Sequence, residues 1–163
     1  LWVNGDADGH FSLNITSHSF KTSADHAYLS IHPEMRHGHR PGWDPMIVPE
    51  IYAFADHVLK GASPGLATIK KQPSSRNCNL RYETETNIVK ATIYYLNEPL
   101  TYRQTENGKH PSPGKWIRKP AKINPKNNSV RIKLPKECMT YYVNLEDERG
   151  LIASSVLLEL WQL

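Results

Sequence analysis

The chain has 163 residues, a formal net charge of +4 and 39% hydrophobic residues, enough for one medium domain or two small ones around a modest core. Its basic residues are scattered, with no block of five or six like charges, and no apolar stretch nears the ~20 residues of a membrane span, so neither nucleic acid nor a membrane is an expected partner. No signal-peptide pattern is visible, and because the chain opens at Leu1 directly on an apolar run, it is expected to start inside a longer polypeptide.

Read in order, the first part alternates strands and helices. Leu1-Trp2-Val3 is an apolar run ended by Asn4-Gly5, a strand and a turn. Residues 12–23 read as a helix with Leu13, Ile15 and Phe20 on its apolar side, and residues 27–31 as the next strand, ended by Pro33. A His-, Gly- and Pro-rich loop runs from His32 to Pro45. The strongest helix follows: Pro49 suits its first turn, Glu50 its positive end, and Ile51, Phe54, Ala55, Val58 and Leu59 make one stripe before Gly61 stops it. Strand–helix–strand–helix implies a parallel sheet covered by helices.

Beyond residue 65 the helix signal fades. Candidate strands are 79–84, 90–96, 115–117, 129–134, 140–146 and 154–160, separated by turns at residues 85–87, 106–108, 125–128 and 147–150. Six or seven antiparallel strands suggest an immunoglobulin-like sandwich with Trp116 in its core. Tyr141 or Tyr142 is placed for a corner hydrogen bond, or both are ordinary strand aromatics. The expected fold class is therefore α/β plus all-β: a partial α/β-hydrolase over residues 1–64, then an immunoglobulin-like antiparallel β-sandwich over 65–163. Cys78 and Cys138 lack zinc-ligand spacing and form either a disulfide or two separate thiols.

Three motifs mislead. Gly61-Ala-Ser63-Pro64-Gly65 matches the nucleophile elbow, yet it follows a helix instead of a strand, and Pro64 has no N–H to give an oxyanion hole. A helix stop and a linker explain it. Asn4-Gly-Asp6-Ala-Asp8-Gly9 resembles a calcium loop, but Ile15 stands where the bidentate carboxylate is required. His37-Gly-His39, with His32 or His10 nearby, has neither a helical metal motif nor a close cysteine, so no metal or other cofactor is expected.

WVNGDADGHFSL resembles the acid loop of bacterial esterases related to acetylxylan esterases and dienelactone hydrolases, whose pattern is Trp-x-Asn-Gly-x-Asn-Asp. Ala7 replaces the usual asparagine. YLSIHPEMRHGHRPGW and EIYAFADHVLKG resemble the same family's histidine loop and final helix, and TYYVNLEDERGLIASS the last hairpin of its C-terminal sandwich. The resemblance is most specific over residues 2–11 and 28–61. It implies that Asp8 is the triad acid and His37 the triad base, with Asp6 and His39 as competitors. It also implies an ester substrate, with acetylated carbohydrate the favoured kind, and a secreted or periplasmic setting. The triad order is nucleophile, acid, histidine, and none of the seven residues before Asp8 is Ser or Cys. The expectation is an inactive C-terminal portion of a longer esterase that needs its missing N-terminal part or self-associates for cover. The alternative is a non-catalytic interaction or carbohydrate-binding protein, with Tyr94, Tyr95, Tyr102 and Trp116 as a sugar platform.

Overall fold

The computed structural model describes residues 1–23, 27–38, 47–61, 64–100 and 114–160. β1 (Trp2–Gly5) and β2 (Leu29–His32) run parallel, in register from Trp2 opposite Leu29 to Gly5 opposite His32, with α1 (Leu13–Lys21) between them. α2 (Pro49–Lys60) follows; Pro49 opens it and Gly61 closes it in the left-handed conformation (φ 61°), its N–H donating to His57 O. The motif Ser63 lies outside the described residues.

The remaining strands are β3 (Thr68–Lys71), β4 (Asn77–Glu83), β5 (Ile88–Leu96), β6 (Ile117–Pro120), β7 (Lys122–Asn124), β8 (Ser129–Lys133), β9 (Thr140–Asp147), β10 (Ile152–Ser154) and β11 (Leu158–Glu159). They form two antiparallel sheets. One has the order β10-β9-β5-β6, with β11 also on β9; the other has the order β3-β4-β8-β7. Leu80, Tyr82, Val130 and Ile132 of the second sheet meet Ala91, Ile93, Tyr141, Val143 and Leu145 of the first in one buried core.

The expected α/β-hydrolase architecture is therefore corrected. Among the described residues the protein is mostly antiparallel β-sheet with two short helices, and the two parallel strands do not belong to a larger helix-covered parallel sheet. The βαβα reading of residues 1–60 captured the local unit but not what covers it. That cover is the antiparallel sheet itself. Leu13, Leu29 and Ile31 pack against Tyr94, Leu96, Tyr142, Val156 and Leu157 in a second core. The apolar stripe of α2 is not a core face either: Val58 and Leu59 are exposed, and its fully buried residue is Glu50.

β9 joins the two cores. Side chains alternate along a strand, so Tyr141, Val143 and Leu145 face the β4–β8 side while Tyr142 and Asn144 face β1 and β2. Opposite Tyr142 on β5 stands Tyr94, and their rings stack at 4.9 Å. Opposite Asn144 on β10 stands Ser154. This polar pair closes the outer edge of β2. The Ile31 N–H donates to Ser154 Oγ at 2.7 Å, Asn144 Nδ2 donates to Ile31 O at 2.9 Å, and Ser154 Oγ donates to Asn144 Oδ1 at 2.7 Å. Two side chains thus replace the ladder bonds that a third parallel strand would supply. Neither β9 tyrosine makes a local corner bond: Tyr141 donates to Ser75 O and Tyr142 to Asp6 Oδ2. Both cysteines are free, and burial pushes the Cys138 thiol up to about 11.

Asn144→Ala is expected to lower stability by about 3 kcal/mol, because it strands a buried carbonyl and removes the acceptor of Ser154. Denaturant unfolding, together with faster hydrogen exchange at the Ile31 amide, checks this.

Candidate active site

The loop after β1 is shaped by short polar side chains. Asn4 Nδ2 donates to Phe11 O at 2.9 Å and to Thr16 Oγ1 at 2.6 Å, tying the loop to α1. The Asp8 carboxylate turns back on its own chain, where Oδ1 accepts the N–H groups of His10 and Phe11 at 2.7 and 3.0 Å. This Asx turn leaves Oδ2 pointing outward. The loop after β2 lies alongside: Asp6 N–H donates to His32 O and Ala7 N–H to Met35 O. Gly5 is required by that approach, since a β-carbon there would sit 1.9 Å from Met35 O.

These two loops bring Asp8 and His37 together. Asp8 Oδ2 lies 3.2 Å from His37 Nδ1; the Asp8 side chain is 9% exposed and the His37 side chain 37%. The His37 ring also lies against His10 and Phe11, with centroids 4.2 and 5.3 Å away. A cleft of about 350 Å³ opens beside the pair, lined by Trp2, Asn4, Phe11, Gly38 and Ile51. A second cleft, of about 610 Å³, is walled by Glu34, Lys115, Trp116 and Arg118, and Arg36 borders both.

Asp6, the competing acid, faces another way. It is buried, accepts the Tyr142 hydroxyl at 2.8 Å on Oδ2 and the Glu34 N–H on Oδ1, and its carbonyl accepts Trp116 Nε1 at 3.2 Å. Burial raises its carboxyl above the ordinary value, against the opposing pull of the Tyr142 and Glu34 hydrogen bonds; the Glu34 carboxylate adds to the rise and Arg118 offsets it. Glu34 itself has φ 61°, an uncommon conformation for a residue with a side chain, and it pairs with Arg118. His39, the competing base, lies outside the described residues.

A Ser–His–Glu grouping also occurs, at Ser30, His32 and Glu50. Ser30 Oγ and Glu50 Oε2 both approach the same nitrogen, His32 Nε2, at 3.1 and 3.0 Å. A relay needs hydroxyl and acid on opposite ring nitrogens. Ser30 and Glu50 are wholly buried, and Glu50 Oε1 accepts the Ile152 N–H at 2.7 Å. This cluster is a structural joint between α2, β2 and β10.

The aromatic platform suggested by the sequence does not form among the described residues. Tyr94 is buried in its stack with Tyr142, Trp116 packs edge-on against Tyr142, and Tyr95 is half-buried against the main core. Tyr102 lies outside the described residues. What sequence reasoning missed is the second cleft; of His32 and His10, the two named as near His37, the structure brings His10 against its ring, and the spacing Asp8-x-His10 across an Asx turn is the signal that favours it. No protein-family model matches the chain, and a search of curated proteins finds no match either.

Gly5→Ala should destabilise the fold by about 3 kcal/mol, as overpacking forces the two loops apart; chemical denaturation measures it. The Asp6 carboxyl binds its proton more tightly folded than unfolded, so its contribution to stability is lost as pH rises above the ordinary carboxylate range. Relative to Asp6→Asn, the wild type should therefore lose ground as pH rises through and above the ordinary carboxylate range. Urea unfolding of both proteins across that range tests the sign.

Proposed function

We propose that the chain carries the acid and the base of a serine-type relay that hydrolyses carboxylic esters, with acetyl esters of carbohydrates as the favoured substrates. The single observation that carries this reading is the Asp8–His37 contact at the mouth of a cleft. In it, Asp8 accepts the Nδ1 proton of His37, holds the ring in one tautomer and stabilises the imidazolium that forms in the reaction. His37 Nε2 then takes the proton of an attacking hydroxyl and returns it to the leaving alcohol. The sequence resemblance to acetylxylan esterases and dienelactone hydrolases supports the same two residues. The polar walls of the second cleft, with Glu34, Arg118 and Trp116, suit a hydroxyl-rich substrate. Among the described residues no serine hydroxyl is hydrogen-bonded to His37, so the reading requires a serine brought to its Nε2 by another segment or a partner, and without one esters are expected to stay intact.

Long-range proton–nitrogen spectra at neutral pH are expected to show the His37 proton on Nδ1, and Asp8→Asn should shift the ring toward the Nε2–H form. A wild-type ring protonated on Nε2 alone overturns the relay. In a polypeptide that supplies the serine, His37→Ala should reduce kcat/KM on an acetyl ester by about 10⁴-fold or more. Near-wild-type turnover would show that His37 is not the base.

A further inference from the structure

We propose that Asp8, His10 and His37 form a binding site for one divalent transition-metal ion of the zinc type. One ligand atom from each residue falls in a group whose members all lie within 4.8 Å of one another. Two imidazoles and a carboxylate suit zinc and its neighbours and discriminate against magnesium and calcium, which prefer oxygen ligands.

The distances nearly fit already. Bonds of about 2.0–2.1 Å to a tetrahedral ion place neighbouring ligand atoms about 3.4 Å apart. Asp8 Oδ2 and His37 Nδ1 are 3.2 Å apart. The remaining closure falls on His10, whose ring is exposed and already stands 4.2 Å from that of His37.

The surroundings hold the ligands as a metal site would. The N–H groups of His10 and Phe11 occupy Asp8 Oδ1, so the carboxylate is oriented with Oδ2 toward His37 Nδ1. The partial exposure of His37 gives an ion a route in and a coordination position for water.

Such an ion takes the same carboxylate oxygen and ring nitrogen that the relay uses. An ion between Oδ2 and Nδ1 leaves the ring proton on Nε2, the tautomer opposite to the one a hydroxyl-activating base needs. Metal and relay are therefore alternative occupants of one site, and ion binding does not depend on esterase chemistry being present.

The test is a titration of chelator-stripped protein with Zn²⁺ against a chromogenic chelator, repeated with Co²⁺ to read the ligand-field spectrum. The wild type is expected to bind one ion per chain. His10→Ala, which leaves Asp8 and His37 in place, should bind at least about 100-fold more weakly. His57→Ala, on α2, should bind as the wild type does. In long-range proton–nitrogen spectra, Zn²⁺ should shift the rings of His10 and His37 together. No stoichiometric binding by the wild type, or equal affinity in His10→Ala, overturns the proposal. Ester turnover enters neither readout, so this proposal and the relay can fail separately.

Discussion

A strand buried on both faces has to satisfy two neighbours at once, and β9 is such a strand. Seven of its eight residues are buried. On one side it offers Tyr141, Val143 and Leu145 to the opposing sheet. On the other it offers aromatic and amide groups whose polar tips must find partners, because a buried polar group without one costs roughly 1–3 kcal/mol. Those partners are the backbone of β2 and the carboxylate of Asp6. The polar atoms of one central strand thus decide where the βα segment sits.

The candidate site inherits its geometry from that docking. Asp6 is held from below by Tyr142 and in turn holds the N–H of Glu34, so one carboxylate spans the loop after β1, the loop after β2 and the sheet beneath. Met35 O accepts the Ala7 N–H across the same gap, and Gly5 makes room for it. Asp8 and His37 emerge on either side of this clamp. Their 3.2 Å approach is set less by their own attraction than by the backbone beneath them, as expected for a partly exposed pair in water.

Much of this was legible in the residues. Both helices and most strands follow from periodicity and punctuation: the Gly61 stop, the Pro49 start and the alternation of Val130 and Ile132 all report local preferences that tertiary packing did not override. The approach of Asp8 to His37 was readable because one strand–helix–strand unit places two successive loops at one rim. What covers the unit was not readable. Asn144 and Ser154 look like ordinary polar strand residues, and only the register of β9 with β10 turns them into a strand edge for β2. Glu50 looked like a dipole-matching residue at a helix start, whereas its burial against His32 and Ile152 depends on contacts 18 and 102 positions away. β3 and β7, four and three residues long, were too short to show a period. The final strand, read as one over 154–160, divides into β10 and β11, because the N–H groups of Val156 and Leu157 turn aside to Gln72 and Ser17.

The shared strand also bears on how such a chain can be inherited. A module that travels between genes must carry its own interior, and here the interior of the amino-terminal unit is lined by Tyr94, Tyr142 and Val156, all beyond residue 65. Recombination at the Pro64–Gly65 junction would part Leu13 and Ile31 from the surface that shelters them, leaving both products with exposed apolar faces. Lineages descending from this architecture should therefore exchange loops and surface residues freely while passing on the two segments as a pair.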